Sequence, residues 1–316
     1  MTLPQAHPDA LVDRGDRKLA VDITGDPGGY PIFLMHGTPG SRNGPKPRSI
    51  VLHRMGIRLI SYDRPGYGES HPMPGRSVGD AADDVRAIAD ALGIDTFAVV
   101  GRSGGGPHAL ACAAKMPTRV TSTAALVSFA PPNAAGLNWY DGMSEQNVTE
   151  YTRADTELSE LVEDVKKRTY EMQDDPGTLV RLIDSALCAF DRRVIDDRAL
   201  RRLITDSYKI AVRQGPYGWI DDTAALRKDW GFSLRDIAAP VLLWHGEQDE
   251  FAPQSHTRWL GTQIPHAQVQ IQPEAGHFAA VEILPNILVW LTDPQAPIPT
   301  VDMVGSTARL GVGVAG

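Results

Sequence analysis

Gly101-Arg102-Ser103-Gly104-Gly105 sets a serine between glycines two residues away on either side. The apolar run Phe97-Ala98-Val99-Val100 leads into it, and the small residues Ala109 to Ala114 lead out. Strand, tight turn and helix is the natural reading. G-x-S-x-G at such a turn presents the serine hydroxyl at its apex, the nucleophile-elbow pattern. The glycines remove Cβ atoms where strand and helix crowd, and the serine is expected in a strained backbone conformation. Attack on an acyl carbon by that hydroxyl needs a base, a carboxylate to orient the base, and N–H donors for the developing oxyanion. Asp249 and His277 follow later apolar runs, in the chain order Ser, Asp, His. The five-residue pattern alone is weak, because glycine and serine are common. Three coincident placements make it specific.

The elements that must hold these residues alternate. Residues 10–24 read as a hairpin about Gly15-Asp16, with Leu19, Val21 and Ile23 on one face of its second strand. Pro31 to Met35 and Ile57 to Tyr62 are short, continuous apolar runs, the signature of strands buried on both faces. Each ends in a loop rich in Gly and Pro, His36 to Ser41 and Asp63 to Ser70. Residues 79–92 give a helix with Val85, Ile88, Ala89 and Leu92 on one face. Val120 to Phe129, Pro240 to Trp244 and Val269 to Ile271 are further strands. Helices run from about Gln254 to Ile264 and from Ala279 to Leu291, the last kinked or broken at Pro285. Strand–helix alternation argues for a mostly parallel sheet with helices on both faces. Between residues 133 and 235 the period turns helical, with Leu158, Leu161, Val162 and Val165 in one set and Leu179, Leu182, Ile183 and Leu187 in another. That segment reads as an all-helical insertion seated on the sheet. Residues 293–316 form a Pro- and Gly-rich tail, expected to be mobile or to lie along the surface.

Composition narrows the function classes. With 316 residues, 42% of them hydrophobic, the chain has material for one large α/β domain with an insertion. A net charge of −8 without a basic cluster excludes a phosphate-backbone partner. Cys112 and Cys188 have no neighbours at metal-ligand spacing and imply no oxidising compartment. Met1 to His7 has neither the basic nor the apolar stretch of a signal peptide, and no apolar run reaches membrane-span length. A cytoplasmic protein with a small-molecule substrate, no nucleic acid and no membrane partner is expected. A homodimer stays open.

These motifs resemble those of the α/β-hydrolase fold superfamily. The likeness rests on His36-Gly37-Thr38-Pro39-Gly40, Asp63-Arg64-Pro65-Gly66-Tyr67-Gly68, Gly101 to Gly105, the loop with Asp249, and Gly276-His277. It is similar to capped serine hydrolases of the proline-iminopeptidase-like and esterase-like kind. The resemblance implies the α/β-hydrolase fold, a mostly parallel twisted sheet with helices on both faces and an all-helical cap insertion. Residues 1–132 and 236–292 would form the core and 133–235 the cap. It also implies that the backbone N–H groups of Thr38 and Gly104 form the oxyanion hole, and that His36 is structural. Of the rival bases, His108 sits in the first turns of a helix, pointing away, and His245 comes too early in its loop. Glu247 and Glu250 are the rivals to Asp249. Some relatives place the acid after the strand ending near Phe129, but Ser128-Phe129-Ala130-Pro131 has no carboxylate.

Asp63 and Arg64 are expected to brace the loop beside the sheet, and Arg102 to pair with a carboxylate rather than touch substrate. The cap aromatics either line a pocket over Ser103 or pack the cap down. Trp139 and Trp219, near its two ends, are the candidates for pocket contact. A serine elbow excludes the alkyl-enzyme chemistry of relatives with aspartate there. Thr38 and Gly104 depart from the His-Gly-Gly-Pro-Gly motif and post-nucleophile tryptophan usual in proline iminopeptidases. The expected reaction is hydrolysis of a carboxylic ester, thioester or lactone through an acyl-serine intermediate, with no metal or organic cofactor. An iminopeptidase-like aminopeptidase, a C–C bond hydrolase and a non-catalytic small-molecule receptor are the alternatives.

Overall fold

Unbroken apolar runs become the inner strands of one sheet. The protein's structure, a computed structural model, describes residues 9–301. Asp9–Arg14 (β1) and Arg17–Gly25 (β2) form the N-terminal hairpin, followed by Tyr30–Met35 (β3) and, after helix α1 (Ser49–Arg54), Ile57–Tyr62 (β4). Then come α2 (Ala81–Ala91), β5 (Phe97–Arg102), α3 (Gly105–Lys115) and β6 (Val120–Leu126). The chain returns to the sheet as β7 (Val241–Gly246), α10 (Gln254–Gln263) and β8 (Ala267–Gln272), and ends in α11 (Ala279–Glu282) and α12 (Leu284–Thr292). The order across the sheet is β1-β2-β4-β3-β5-β6-β7-β8, antiparallel at β1–β2 and β2–β4 and parallel elsewhere.

Alternate residues of one strand serve opposite faces. Ile32 and Leu34 of β3 share one buried cluster with residues of α1, α11 and α12, whereas Phe33 and Met35 share another with residues of α2, α3 and α10. From β3 the chain turns one way to β4 and then crosses to β5 on the other side. The β3–β5 seam is therefore a topological switch point, where a crevice opens at the C-terminal strand ends. Met35 pairs with Gly101 across it, so the loop beginning at His36 and the turn at Ser103 emerge side by side.

Residues 127–240 carry no strand among the described residues and six α-helices: α4 (Glu145–Thr156), α5 (Leu158–Asp174), α6 (Thr178–Leu182), α7 (Ala189–Asp196), α8 (Arg198–Ala211) and α9 (Tyr217–Leu226). These six helices form the inserted helical cap. Its buried apolar residues, Leu161 and Val165 of α5 and Ile204 of α8 among them, belong to the same clusters as the sheet, so roof and floor share one core. Two expected core positions differ. Leu158 and Leu182 are exposed, because each lies at the end of its helix, beyond the face packed on the core.

The other departures are local. The strand read as Val120 to Phe129 stops at Leu126, because Val127 takes φ 47°. Helix α1 had no counterpart in the periodicity reading. Pro285 stands in the first turn of α12, where a missing N–H costs nothing, and separates it from α11. In the tail, Ala296 and Ile298 pack against the core and the Val301 N–H donates to Gln272 Oε1 at 3.1 Å. Residues 302–316, and the N-terminal Met1 to His7, lie outside the described residues. No helix among the described residues is long and apolar enough to cross a membrane.

Candidate active site

Ser103 follows β5 directly, with φ 53°, a left-handed conformation that a non-glycine residue holds only where its surroundings enforce it. Its N–H donates to the Leu126 carbonyl at 2.9 Å, and its own carbonyl accepts from Gly106 N–H at 2.9 Å. A Cβ at Gly101 would collide with the Gly105 carbonyl oxygen, and one at Gly104 with the Thr38 side chain. The glycines are thus required by close approach of strand, helix and neighbouring loop.

That neighbouring loop is pinned from behind. Arg64 donates to the carbonyls of His36 and Gly37, and Thr38 Oγ1 donates to Asp222 Oδ2 of α9 at 2.8 Å. Asp222 also receives Arg64, Arg76 and the Tyr67 hydroxyl. Burial opposes its charge, but the two arginines outweigh it and hold the carboxyl well below the usual range. Asp63 instead receives Arg42. Thr38 packs directly against Gly104, and the backbone N–H groups of both make no hydrogen bond among the described residues. Two free donors therefore flank Ser103.

His277, in the loop after β8, places Nδ1 2.8 Å from Asp249 Oδ2 in the loop after β7. A carboxylate only accepts, so Nδ1 carries the proton and Nε2 is left as acceptor. Burial disfavours the imidazolium, but Asp249 and then Asp191 outweigh it and raise the His277 pKa above its ordinary value. Asp249 is buried as well, and against that penalty His277 and His245 keep it ionised, its pKa depressed. Its Oδ1 accepts from the N–H groups of Phe251 at 2.8 Å and Ala252 at 3.1 Å. Glu247 and Glu250 are exposed.

The remaining histidines have other work. His36 Nε2 accepts from Arg64 N–H at 3.2 Å, so its Nδ1 donates to the Gly37 carbonyl, and burial followed by Arg64 keeps it neutral. His108 is turned onto the Gly104 carbonyl at 2.7 Å, its pKa lowered by burial to about 3. His245 Nε2 lies 3.2 Å from Asp249 Oδ2 and close to the Ala252 carbonyl, so it must be a donor, and its Nδ1 accepts from Thr257.

Ser103, Thr38 and His277 open on one cavity of about 150 Å³, roofed by α4, α6, α8 and α9. Residues 30–282 match a family model described as the alpha/beta hydrolase fold. The chain belongs to the α/β-hydrolase fold family. The relatives of this α/β-hydrolase differ in reaction. It is 27% identical over 269 residues to a 2-hydroxymuconate semialdehyde hydrolase of Pseudomonas putida, covering 80% of this chain and 83% of the relative. It is 25% identical over 292 residues to a proline iminopeptidase of Neisseria gonorrhoeae, covering 87% and 91%. An enol-lactonase structure from Burkholderia xenovorans LB400 superposes with a TM-score of 0.66 at 20% identity, over 90% of this chain and 99% of that one, a likeness of fold.

The cap of this α/β-hydrolase reaches the site through several helices. Trp219 lines the cavity, its Nε1 donating to Glu150 Oε1 at 2.8 Å. Trp139 does not line it. It stacks on Phe129 and donates to the Ala130 carbonyl at 2.9 Å, filling the space behind the wall, which corrects the expected pocket contact. Asp191 of α7 accepts from the N–H groups of Phe278 at 2.9 Å and Ala279 at 3.3 Å, just after His277. Arg102 has no carboxylate partner among the described residues, contrary to the expected ion pair.

Proposed function

We propose that this α/β-hydrolase is a serine hydrolase that cleaves a carboxylic ester, thioester or lactone of a small molecule through an acyl-serine intermediate. The observation that carries the reading is the Nδ1-protonated His277, held on Asp249 with Nε2 free, on a cavity shared with Ser103. Nε2 takes the Ser103 proton as Oγ attacks the acyl carbon. The tetrahedral oxyanion is met by the N–H groups of Thr38 and Gly104, which need no reorganisation because neither is otherwise engaged. The imidazolium, stabilised by Asp249, gives its proton to the departing alkoxide or thiolate. A water activated by the same nitrogen then hydrolyses the acyl-serine. A cavity of about 150 Å³ beside Ser103 and His277 supports a small-molecule substrate.

A fluorophosphonate probe should label the wild-type protein and leave Ser103→Ala unlabelled. A folded wild type that resists labelling would refute the serine-hydrolase reading. A panel of p-nitrophenyl esters, lactones and prolyl amides then ranks ester against peptide chemistry, and turnover confined to prolyl amides would replace the ester assignment.

A further inference from the structure

Arg102 is the last residue of β5, one position before Ser103, and lines the cavity while only 9% exposed. The other deeply buried arginines are compensated. Arg64 and Arg76 both end on Asp222, and Arg42 on Asp63 and Glu69. The side chain of Arg102 forms no hydrogen bond and no ion pair among the described residues. A guanidinium offers five donors and does not lose its charge at neutral pH, so the Arg102 head leaves a charge and its donors turned to the cavity without protein acceptors. Burial draws its pKa down only to about 10.

The cavity wall supplies no countercharge. Its one cap carboxylate, Glu150, is taken by Arg168, Trp219 and Thr223. Where Arg102 Nη2 comes past Gly44, the wall is completed by Ser207 and Tyr208. Burial raises the Tyr208 phenol to about 12, so it stays a neutral hydroxyl. A buried cation, a serine hydroxyl and a phenol thus bound one part of the cavity that holds Ser103.

We infer that Arg102 is the anion-binding residue of this pocket, and that the substrate is an ester, thioester or lactone carrying a carboxylate a few bonds from its scissile carbonyl. Arg102 and Ser103 line the same cavity of about 150 Å³, so a charge held by Arg102 shares that space with the acyl group presented to Ser103. A carboxylate accepts the guanidinium fork through two oxygens and brings the missing charge. The inference rests on the serine-hydrolase reading for its reaction, but not for its binding.

Two measurements keep these apart. The first is calorimetric titration of the protein with succinate and with its neutral analogue succinamide. Wild type should bind succinate more tightly, on the order of tenfold to a hundredfold, the usual worth of hydrogen bonds to a charged group. Arg102→Met, which keeps the aliphatic bulk, and Arg102→Gln should both lose that preference. Equal binding of the two ligands by wild type, or a preference that survives in both variants, would overturn the inference. This arm needs no turnover, so it stands whether or not a fluorophosphonate labels Ser103. The second arm compares p-nitrophenyl hemisuccinate with p-nitrophenyl butyrate. Wild type should favour the hemisuccinate mainly through KM, and the ratio should collapse in Arg102→Met. An equal ratio in the two proteins counts against Arg102. Without ligand, Arg102→Met should melt close to the wild-type temperature, because Arg102 makes no hydrogen bond or ion pair among the described residues for the change to remove. A clear drop would instead make Arg102 a structural residue.

Discussion

Asp249 stands between two imidazoles, donors to the same oxygen. Replacing it by Asn puts an amide donor where His277 needs an acceptor, and so favours the wrong tautomer. Asp249→Asn is expected to fold, yet to lose roughly four orders of magnitude in kcat, as triads do when the orienting carboxylate is neutralised. The pH profile gives the sign. In the proposed mechanism His277 must be neutral to accept the Ser103 proton, and its folded pKa is raised. Activity in the wild type should therefore fall as pH drops through a value above the ordinary histidine pKa, and this limb should move down in the variant. A limb that stays in place would mean that another group titrates. Asp249 could be read from its place after an apolar strand. Burial is what separates it from Glu247 and Glu250, and three acidic residues within four positions do not disclose which one turns inward. The same limit explains Arg102, for which the expected carboxylate partner does not exist among the described residues.

At the scale of elements, α7 acts on the loop that carries His277. Asp191 caps the turn after His277, while its Oδ2 is buried without a partner among the described residues. Burial raises its pKa to about 6, against the opposing pull of His277. A carboxyl whose folded pKa lies above its unfolded value binds more protons in the native state, so stability falls as pH rises from about 4 to about 6. Asp191→Asn keeps an acceptor for Phe278 and removes that penalty. Its urea midpoint at pH 7 should rise, by about 2 kcal/mol of stability, with no change at pH 3. The His277 limb should shift down, since one of the charges that raises it has gone. An unchanged midpoint at pH 7 would show that Asp191 is not held protonation-sensitive. The helical character of the cap and the break at Pro285 were legible from period and punctuation. Which cap acids turn inward was not, because Asp191 and Asp222 sit among 39 acidic residues and differ from exposed ones only through partners far along the chain.

For the whole molecule, the alternation of buried strands and helices specified the sheet, but not how roof and floor are joined. That joint is Asp222, brought by α9 against Arg64, Arg76, Tyr67 and Thr38. The buried apolar residues of the cap are continuous with those of the sheet. Two bonds therefore hold one cooperative unit, a shared core and a shared ion cluster. Asp222→Ala breaks the cluster and leaves two buried guanidinium groups uncompensated, which should cost on the order of 3–5 kcal/mol. Because the core remains shared, the loss should lower a single transition. Tryptophan fluorescence, which draws on Trp139, Trp219 and Trp230 between β6 and β7 and on Trp244, Trp259 and Trp290 around the sheet, and far-ultraviolet circular dichroism should each show one transition, with coincident midpoints in wild type and variant alike. The Thr38 loop loses its hold on the cap in the same step, so activity should fall further than the folded fraction does. Separate midpoints for the two probes in the variant would show that Asp222, and not the common core, binds the cap to the sheet.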